Sequence, residues 1–116
     1  MTIQYKNQGF DLTTTNTTTV LNINTSSVAI VKDIAFINNS GSKVFSNYYL
    51  YDASAGTDYH FYHQNISANI AGRAVTGVLN LEAGDAIKVN ASTANVVAGV
   101  ISYALIDRSQ ENGWFS

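Results

Sequence analysis

The fold is decided by residues 96–106, Val-Val-Ala-Gly-Val-Ile-Ser-Tyr-Ala-Leu-Ile, where apolar side chains occupy both sets of alternating positions. In an extended strand, Val97 and Ile101 lie on one side and Val96 and Ile106 on the other, because successive side chains point to opposite faces. A strand that is apolar on both faces is typical of a strand covered from both sides. This stretch therefore predicts a strand buried on both of its faces.

Further strands are predicted on the N-terminal side of this stretch, separated by turns rich in Asn, Ser and Gly. Their predicted positions are residues 19–23, 28–37, 43–52, 58–63, 75–81 and 87–90, with an irregular connection over 64–74. Gly84, in the turn Glu-Ala-Gly-Asp, is expected to take a positive φ. Ile30, Ile34 and Ile37 also fit a helical spacing, but β-branched residues fill that stretch and favour a strand.

Seven or eight short strands with no convincing helix predict an all-β fold. We expect a two-sheet antiparallel β-sandwich of the jelly-roll type. Residues 1–18 are polar and rich in hydroxyls, which predicts an extended N-terminal arm. Residues 19–107 then form the β-sandwich domain, and residues 108–116 form a polar C-terminal tail.

Composition excludes several classes of function. Only 12% of the 116 residues are charged and the net charge is −2, so the chain lacks the basic stripe that nucleic-acid binding requires. No apolar stretch approaches the roughly 20 residues of a membrane span, and the N-terminus does not resemble a signal peptide. The absence of cysteine excludes disulfides and thiolate chemistry. We therefore expect a soluble protein that is made without a signal peptide and has no nucleic-acid or membrane partner.

The sequence predicts neither a metal site nor catalysis. His60 and His63 are three residues apart on one predicted strand, so their rings should point to opposite faces unless a bulge intervenes. Two acidic pairs, Asp52 with Asp58 and Glu82 with Asp85, flank turns and could offer oxygen ligands to calcium, but neither resembles a calcium-binding loop, so they are interpreted as solvated carboxylates. A nucleophile elbow is missing and no carboxylate spacing suggests a glycosidase, so we expect a non-enzymatic protein without cofactors.

Aromatic side chains on the strands 43–52 and 58–63 give the strongest positive signal. Three of them are expected to alternate inward and fill the core, namely Tyr48, Tyr59 and Phe61. Another three are candidates for a surface aromatic patch that would stack on sugar rings or contact a protein, namely Tyr49, Tyr51 and Tyr62.

The predicted sandwich has long apolar strands, few charges and no proline, so it lacks the usual devices that prevent edge-to-edge pairing. Neighbouring subunits would cover such edges, which predicts a homo-oligomer or a larger assembly. Four large side chains on the predicted arm and tail have no core of their own and are the candidate subunit contacts: Tyr5, Phe10, Trp114 and Phe115.

The stretch 81–92, which reads Leu-x-x-Gly-Asp-x-Ile-x-Val-x-Ala-Ser, and the flanking strands resemble small β-sandwich structural proteins of tailed bacteriophages. The resemblance covers roughly residues 28–107. It implies a non-enzymatic virion protein, made in the host cytoplasm and present in many copies, as a head decoration (cement) subunit or a neck or tail appendage. The implied partners are further copies of the chain and capsid, neck or tail proteins. A carbohydrate-binding module that uses the surface tyrosines is the alternative.

Overall fold

A computed structural model describes residues 2–107 of the chain. Within this range the chain forms antiparallel strands, which are β1 (Thr2–Asp11), β2 (Thr18–Asn22), β3 (Ser27–Asn38), β4 (Val44–Asp52), β5 (Thr57–Ile66), β6 (Ala71–Val75), β7 (Leu79–Leu81), β8 (Ala86–Ala91) and β9 (Val97–Asp107). No helix in the described residues is long and apolar enough to cross a membrane.

The strands pair as one long hairpin that is folded over on itself. β4 pairs with β5 at the closed end of this hairpin. Moving away from that end, the next pairs are β3 with β6 and β7, then β2 with β8, and finally β1 with β9. Pairing of β3 with β9 and of β4 with β8 joins these ladders into two sheets. The first sheet has the order β1-β9-β3-β6, with β7 also on β3, and the second has the order β2-β8-β4-β5. The predicted two-sheet, jelly-roll-like sandwich is confirmed.

The core lies between the inner faces of the two sheets. Its most deeply buried side chains alternate along the central strands and their ends: Leu12, Ile23, Val31, Ile34, Tyr48, Ile87, Val89, Val97 and Ile101. Tyr48 is fully buried as predicted, with its ring centroid 5.5 Å from that of Phe36 and 5.8 Å from that of Tyr62. Burial raises the pKa of the Tyr48 hydroxyl above its usual range, because a phenolate would be poorly solvated there.

The segment that the sequence predicts as an extended arm, residues 1–18, contributes a strand to the first sheet. Thr2–Asp11 pairs with β9 along its whole length, and the Leu12 amide then donates to the Val97 carbonyl at 2.9 Å. Sequence alternation misses this strand because nearly all its side chains are exposed on both faces. A domain boundary at residue 18 would therefore cut through the first sheet.

Two strand boundaries also differ from the prediction. β5 and β6 occupy most of the stretch predicted as irregular, residues 64–74. The single strand predicted over residues 75–81 is wrong, because β6 ends at Val75 and β7 begins only at Leu79. The strand predicted over residues 28–37 is confirmed as β3, and Gly84 has the expected positive φ, at 85°.

Candidate interaction surfaces

The outer face of the first sheet is largely aliphatic. The register places eleven apolar side chains on it, and we call this set the aliphatic face: Ile3, Tyr5, Val28, Ile30, Ala35, Ile37, Ala71, Ala98, Val100, Ala104 and Ile106. Tyr5 is 78% exposed and Val100 45% exposed, Ala104 is buried between its larger neighbours, and the others are exposed or half-buried. The prediction that the 96–106 strand is buried on both sides is therefore wrong for its outer side, where no described part of the chain covers it.

A polar belt crosses the aliphatic face at its middle. Asn7 on β1 and Asp33 on β3 both lie opposite Ser102 on β9. Asp33 forms an exposed ion pair with Arg73 of β6, at 3.5 Å. Beside the belt, Lys32 is the extra residue of a bulge in β3, and its Nζ lies 4.8 Å from the centre of the Tyr5 ring.

The belt divides the aliphatic face into two halves of different shape. One half, which we call the ridge, carries large side chains: Ile3, Tyr5, Val28, Ile30 and Ile106. The other half, which we call the groove, is a shallow apolar depression between β3 and β9, lined by Ala35, Ile37, Ala98 and Val100 together with Gly99 and Phe36. Gly9 of β1 continues the groove, because it lies opposite Val100.

The candidate subunit contacts have different environments. Tyr5 stands on the ridge and is accessible, so its role in subunit contact remains a prediction. Phe10 points inward and packs against the core, and its ring lies directly over Gly99. Phe10 is therefore part of the sandwich and not a free contact residue. Trp114 and Phe115 lie outside the described residues.

The outer face of the second sheet is polar and aromatic. The register of β4 with β5 and β8 places these side chains on it, and we call this set the polar-aromatic face: Phe45, Asn47, Tyr49, Tyr51, Asp58, His60, His63, Lys88 and Asn90. Tyr49 and Tyr51, two members of the predicted aromatic patch, are neighbours on it. Both are half-buried, because the His60 ring stacks on Tyr49 at 4.8 Å and Lys88 Nζ lies 4.8 Å from the Tyr51 ring centre.

A bulge in β5 changes which face of the second sheet several of its side chains occupy, contrary to the expectation from sequence spacing. Tyr62 pairs with Tyr48 but the next pair is His60 with Tyr49, so Phe61 is an extra residue. His60 and His63 consequently lie on the same face, with ring centroids 6.5 Å apart, although the spacing alone predicts divergence.

The same bulge turns Tyr62 inward, so it packs against the core and does not belong to the predicted surface patch. Phe61 and Tyr59 are 37% and 51% exposed, so the expectation that they fill the core is wrong. Both lie on β5, the edge strand of the second sheet, where the first sheet gives little cover.

Hydrogen bonds tie the polar groups of the polar-aromatic face to one another. His63 Nδ1 donates to Asn47 Oδ1 at 2.6 Å, and Asn47 Nδ2 donates to Asn90 Oδ1 at 2.9 Å. Asn90 Nδ2 in turn donates to Thr17 Oγ1 at 2.9 Å and approaches the Tyr49 hydroxyl at 3.4 Å. This surface therefore satisfies much of its own hydrogen-bonding capacity.

Three acidic side chains meet at the end of the sandwich. Carboxylate oxygens of Asp52, Glu82 and Asp85 lie within 4.8 Å of one another. Asp85 is only 3% exposed, so its interpretation as a solvated carboxylate is wrong. Its two oxygens accept hydrogen bonds from the amides of Ala53 (3.0 Å) and Glu82 (2.8 Å), and it thereby joins two turns. The Ser54 hydroxyl holds the pKa of Asp52 below its usual value.

Comparison with known proteins supports the fold. Neither a protein-family model nor a curated protein matches the chain. Among solved structures, one of infectious bursal disease virus (Gx strain) is 12% identical with a TM-score of 0.52, covering 92% of this chain and 32% of that chain. This chain thus spans about a third of that protein's length.

Two further similar structures have lower TM-scores. A pilus structure from Bacillus endospore appendages has a TM-score of 0.48 at 12% identity, covering 92% of this chain and 88% of that chain. The virus-like particle of the extra small virus of the prawn Macrobrachium rosenbergii has a TM-score of 0.44 at 12% identity, covering 89% and 78% respectively. Similarity at this level of identity describes the fold and not the function.

Proposed function

We propose that this chain is a non-enzymatic structural subunit of a tailed-phage virion, present in many copies as a head decoration subunit. A neck or tail appendage is the other position that the sequence resemblance allows. Its working partners would be further copies of itself and the capsid, neck or tail proteins, and its location would be the virion.

One observation carries the proposal, which is the exposure of β1. This ten-residue strand forms one edge of the first sheet, and almost all its side chains are exposed on both faces. Long unprotected edges and large apolar faces are what monomeric proteins avoid, because they promote association with other chains. A subunit that is always built into a shell or appendage has its neighbours to cover such surfaces.

The test is to detect the chain in particles. Virions purified from the producing culture by density gradient are analysed by quantitative mass spectrometry, with the major capsid protein as the reference for copy number. We expect the chain to co-purify at many copies per particle. Absence from the particles, or a trace amount removed by a salt wash, would overturn the proposal.

The alternative of a carbohydrate-binding module rests on the polar-aromatic face, where Tyr49 and Tyr51 lie beside the amides of Asn47 and Asn90. Rings next to amide donors suit a sugar, which offers both an apolar face and hydroxyls. A glycan array with the parent chain and with Tyr49→Ala and Tyr51→Ala decides between the two functions. Saturable binding that both substitutions abolish would favour the module.

A further inference from the structure

The two halves of the aliphatic face are complementary to each other, so that the face fits a second copy of itself. We propose that two copies of the chain pack through their aliphatic faces about a two-fold axis that runs along the polar belt. This inference rests on the proposed function, since it names the first contact by which such a subunit would assemble.

Rotation about the belt places the ridge of each copy against the groove of the other. The sheet register then predicts which positions meet, since residues equally far from the belt on opposite sides face each other. Tyr5 lies two pairs from Asn7 in one direction and Gly9 two pairs in the other, so Tyr5 faces Gly9 of the second copy. A protruding side chain thus meets a position that has none.

The large-to-small relation also holds next to the belt on the other two strands, whereas at the outer ends Val28 faces Ile37 and Ile3 faces Asp11 of the second copy. Ile30 lies opposite Ala104, and Ala35 lies opposite Val100 at the same distance across the belt, so Ile30 faces Ala35 of the second copy. Ile106 likewise faces Ala98, at the next pair outward along β9. An axis parallel to the strands would instead stack the ridges on each other and leave the grooves unfilled.

The charges at the belt are compatible with this packing. Asp33 comes close to its own copy at the axis, which would be unfavourable for two isolated carboxylates. Arg73 already pairs with Asp33 at 3.5 Å and the bulge places Lys32 next to it, so the two copies bring four cations around two carboxylates. Because the Asp33–Arg73 pair is exposed, it can exchange partners between the copies at little cost.

The available area reaches the lower limit for a specific dimer. β9 is 11 residues long, and with about 3.3 Å per residue and about 4.8 Å between strands, the face measures about 35 by 15 Å. Packing two such faces buries about 1,000 Å² in total, which is the size at which specific interfaces begin. Residues 108–116 of the same chain or another protein would be the competing occupants.

The first experiment measures the oligomeric state of the full chain by analytical ultracentrifugation over a range of concentrations. We expect the parent to dimerise, and Val100→Lys in the groove and Tyr5→Ser on the ridge each to raise the dimer dissociation constant about 30-fold or more. Phe45→Lys is the matched control, because Phe45 is 40% exposed and lies on the opposite face of the sandwich. Circular dichroism verifies that each variant is folded, and Tyr5→Ser replaces a side chain so exposed that its loss leaves the monomer intact.

The second experiment tests the axis by crosslinking. The chain has no cysteine, so the double variant Tyr5→Cys, Gly9→Cys carries the only thiols. These positions are about 13 Å apart along one strand, too far for a short bismaleimide, but they face each other across the proposed axis. We expect a covalent dimer from the double variant and much less from either single variant.

Failure of this interface is distinguishable from failure of the proposed function. A monomeric parent, a parent dimer that only Phe45→Lys disrupts, or equal crosslinking by a single variant would each overturn the interface. Particle mass spectrometry decides the proposed function independently. A dimer that Val100→Lys disrupts would uphold the interface even if the chain were missing from virions.

Discussion

The outer faces of the two sheets differ in how far their apolar side chains are shielded from water. The polar-aromatic face covers its rings with neighbouring imidazole and ammonium groups and links its amides in a chain of hydrogen bonds. The aliphatic face has the polar belt and one ammonium group, that of Lys32 beside the Tyr5 ring, and Val100, Ile3 and Tyr5 remain 45%, 54% and 78% exposed. The first kind of face is sufficient by itself in water, whereas the second gains free energy only when something covers it.

Two such different faces can coexist because the core holds the sheets together independently of them. We therefore expect the largest effect from a substitution that separates the two sheets. Asn38 at the end of β3 is fully buried, and its Nδ2 donates to the carbonyls of Ser42 (2.8 Å), Ile66 (3.0 Å) and Ser67 (3.2 Å). Its Oδ1 accepts from the amide of Ser40 at 2.9 Å.

We expect Asn38→Ala to lower the free energy of unfolding by about 3 kcal/mol, since it leaves several buried polar groups without partners. Urea denaturation measures the loss. Asn39→Ala at the adjacent exposed position is the control and should change the stability by less than about 0.5 kcal/mol. Equal stability of the two variants would show that Asn38 does not hold the sheets together.

A second substitution acts only on the first sheet. A Cβ at Gly99 would lie 2.4 Å from the Ala35 carbonyl oxygen and from the Phe10 ring, and the Ala35 oxygen belongs to a sheet backbone that cannot move easily. We expect Gly99→Ala to lower the free energy of unfolding by about 2 kcal/mol and to loosen β1, which carries Ile3 and Tyr5 of the ridge.

Gly41→Ala is the matched control, because Gly41 lies in the turn between β3 and β4 and a Cβ there would have no atom within 4 Å outside its immediate neighbours. Thermal unfolding compares the two variants, and we expect a lower melting temperature for Gly99→Ala only. Hydrogen exchange then reports on β1 directly. A parent-like melting temperature for Gly99→Ala would mean that β1 can shift to accommodate the added methyl group.

Sequence alone predicts the sandwich because apolar runs of strand length, such as residues 96–106, are separated by short turns rich in Asn, Ser and Gly. It does not predict β1, since a strand exposed on both faces has no apolar period to detect. The apolar outer positions of residues 96–106 do indicate the aliphatic face. Local sequence does not show, however, whether a second layer of the protein covers such a face or whether it is exposed to solvent.

The arrangement of the histidines could not be predicted either. Because Phe61 is an extra residue, the residues before it in β5 point to the opposite face from the one that strict alternation after the bulge would predict. The side-chain pattern of the sequence does not show where such a bulge occurs. Likewise Asn38 is one of many asparagines in the chain, and only its position between the two sheets distinguishes it.

A smaller effect is expected on the polar-aromatic face. Asn90→Ala removes the centre of the hydrogen-bond chain that joins Asn47, Thr17 and Tyr49. These groups are partly exposed and water can replace the amide, so we expect a loss of about 1 kcal/mol. Asn65→Ala, at an exposed position opposite Phe45 on the same face, is the control, and self-association should be unchanged in both variants. If Asn90→Ala abolished dimerisation, the roles that we assign to the two faces would be reversed.

The smallest expected effect is that of divalent cations on the acidic cluster, where we expect no change. Asp85 uses both oxygens for backbone amides, and Asp52 Oδ1 accepts from the Ser54 hydroxyl at 2.7 Å, so the turns are already held without an ion. The Glu82 carboxylate and the second oxygen of Asp52 are the groups left over in the cluster, which is too few for the roughly six to eight oxygen ligands of calcium. The melting temperature should therefore be the same with a chelator and with millimolar calcium.

A calcium site occupied at 100 times its dissociation constant would stabilise the fold by about 2.7 kcal/mol, which a thermal scan detects easily. A rise of that size, lost in Glu82→Gln, would show that the cluster binds metal and that the two turns depend on it.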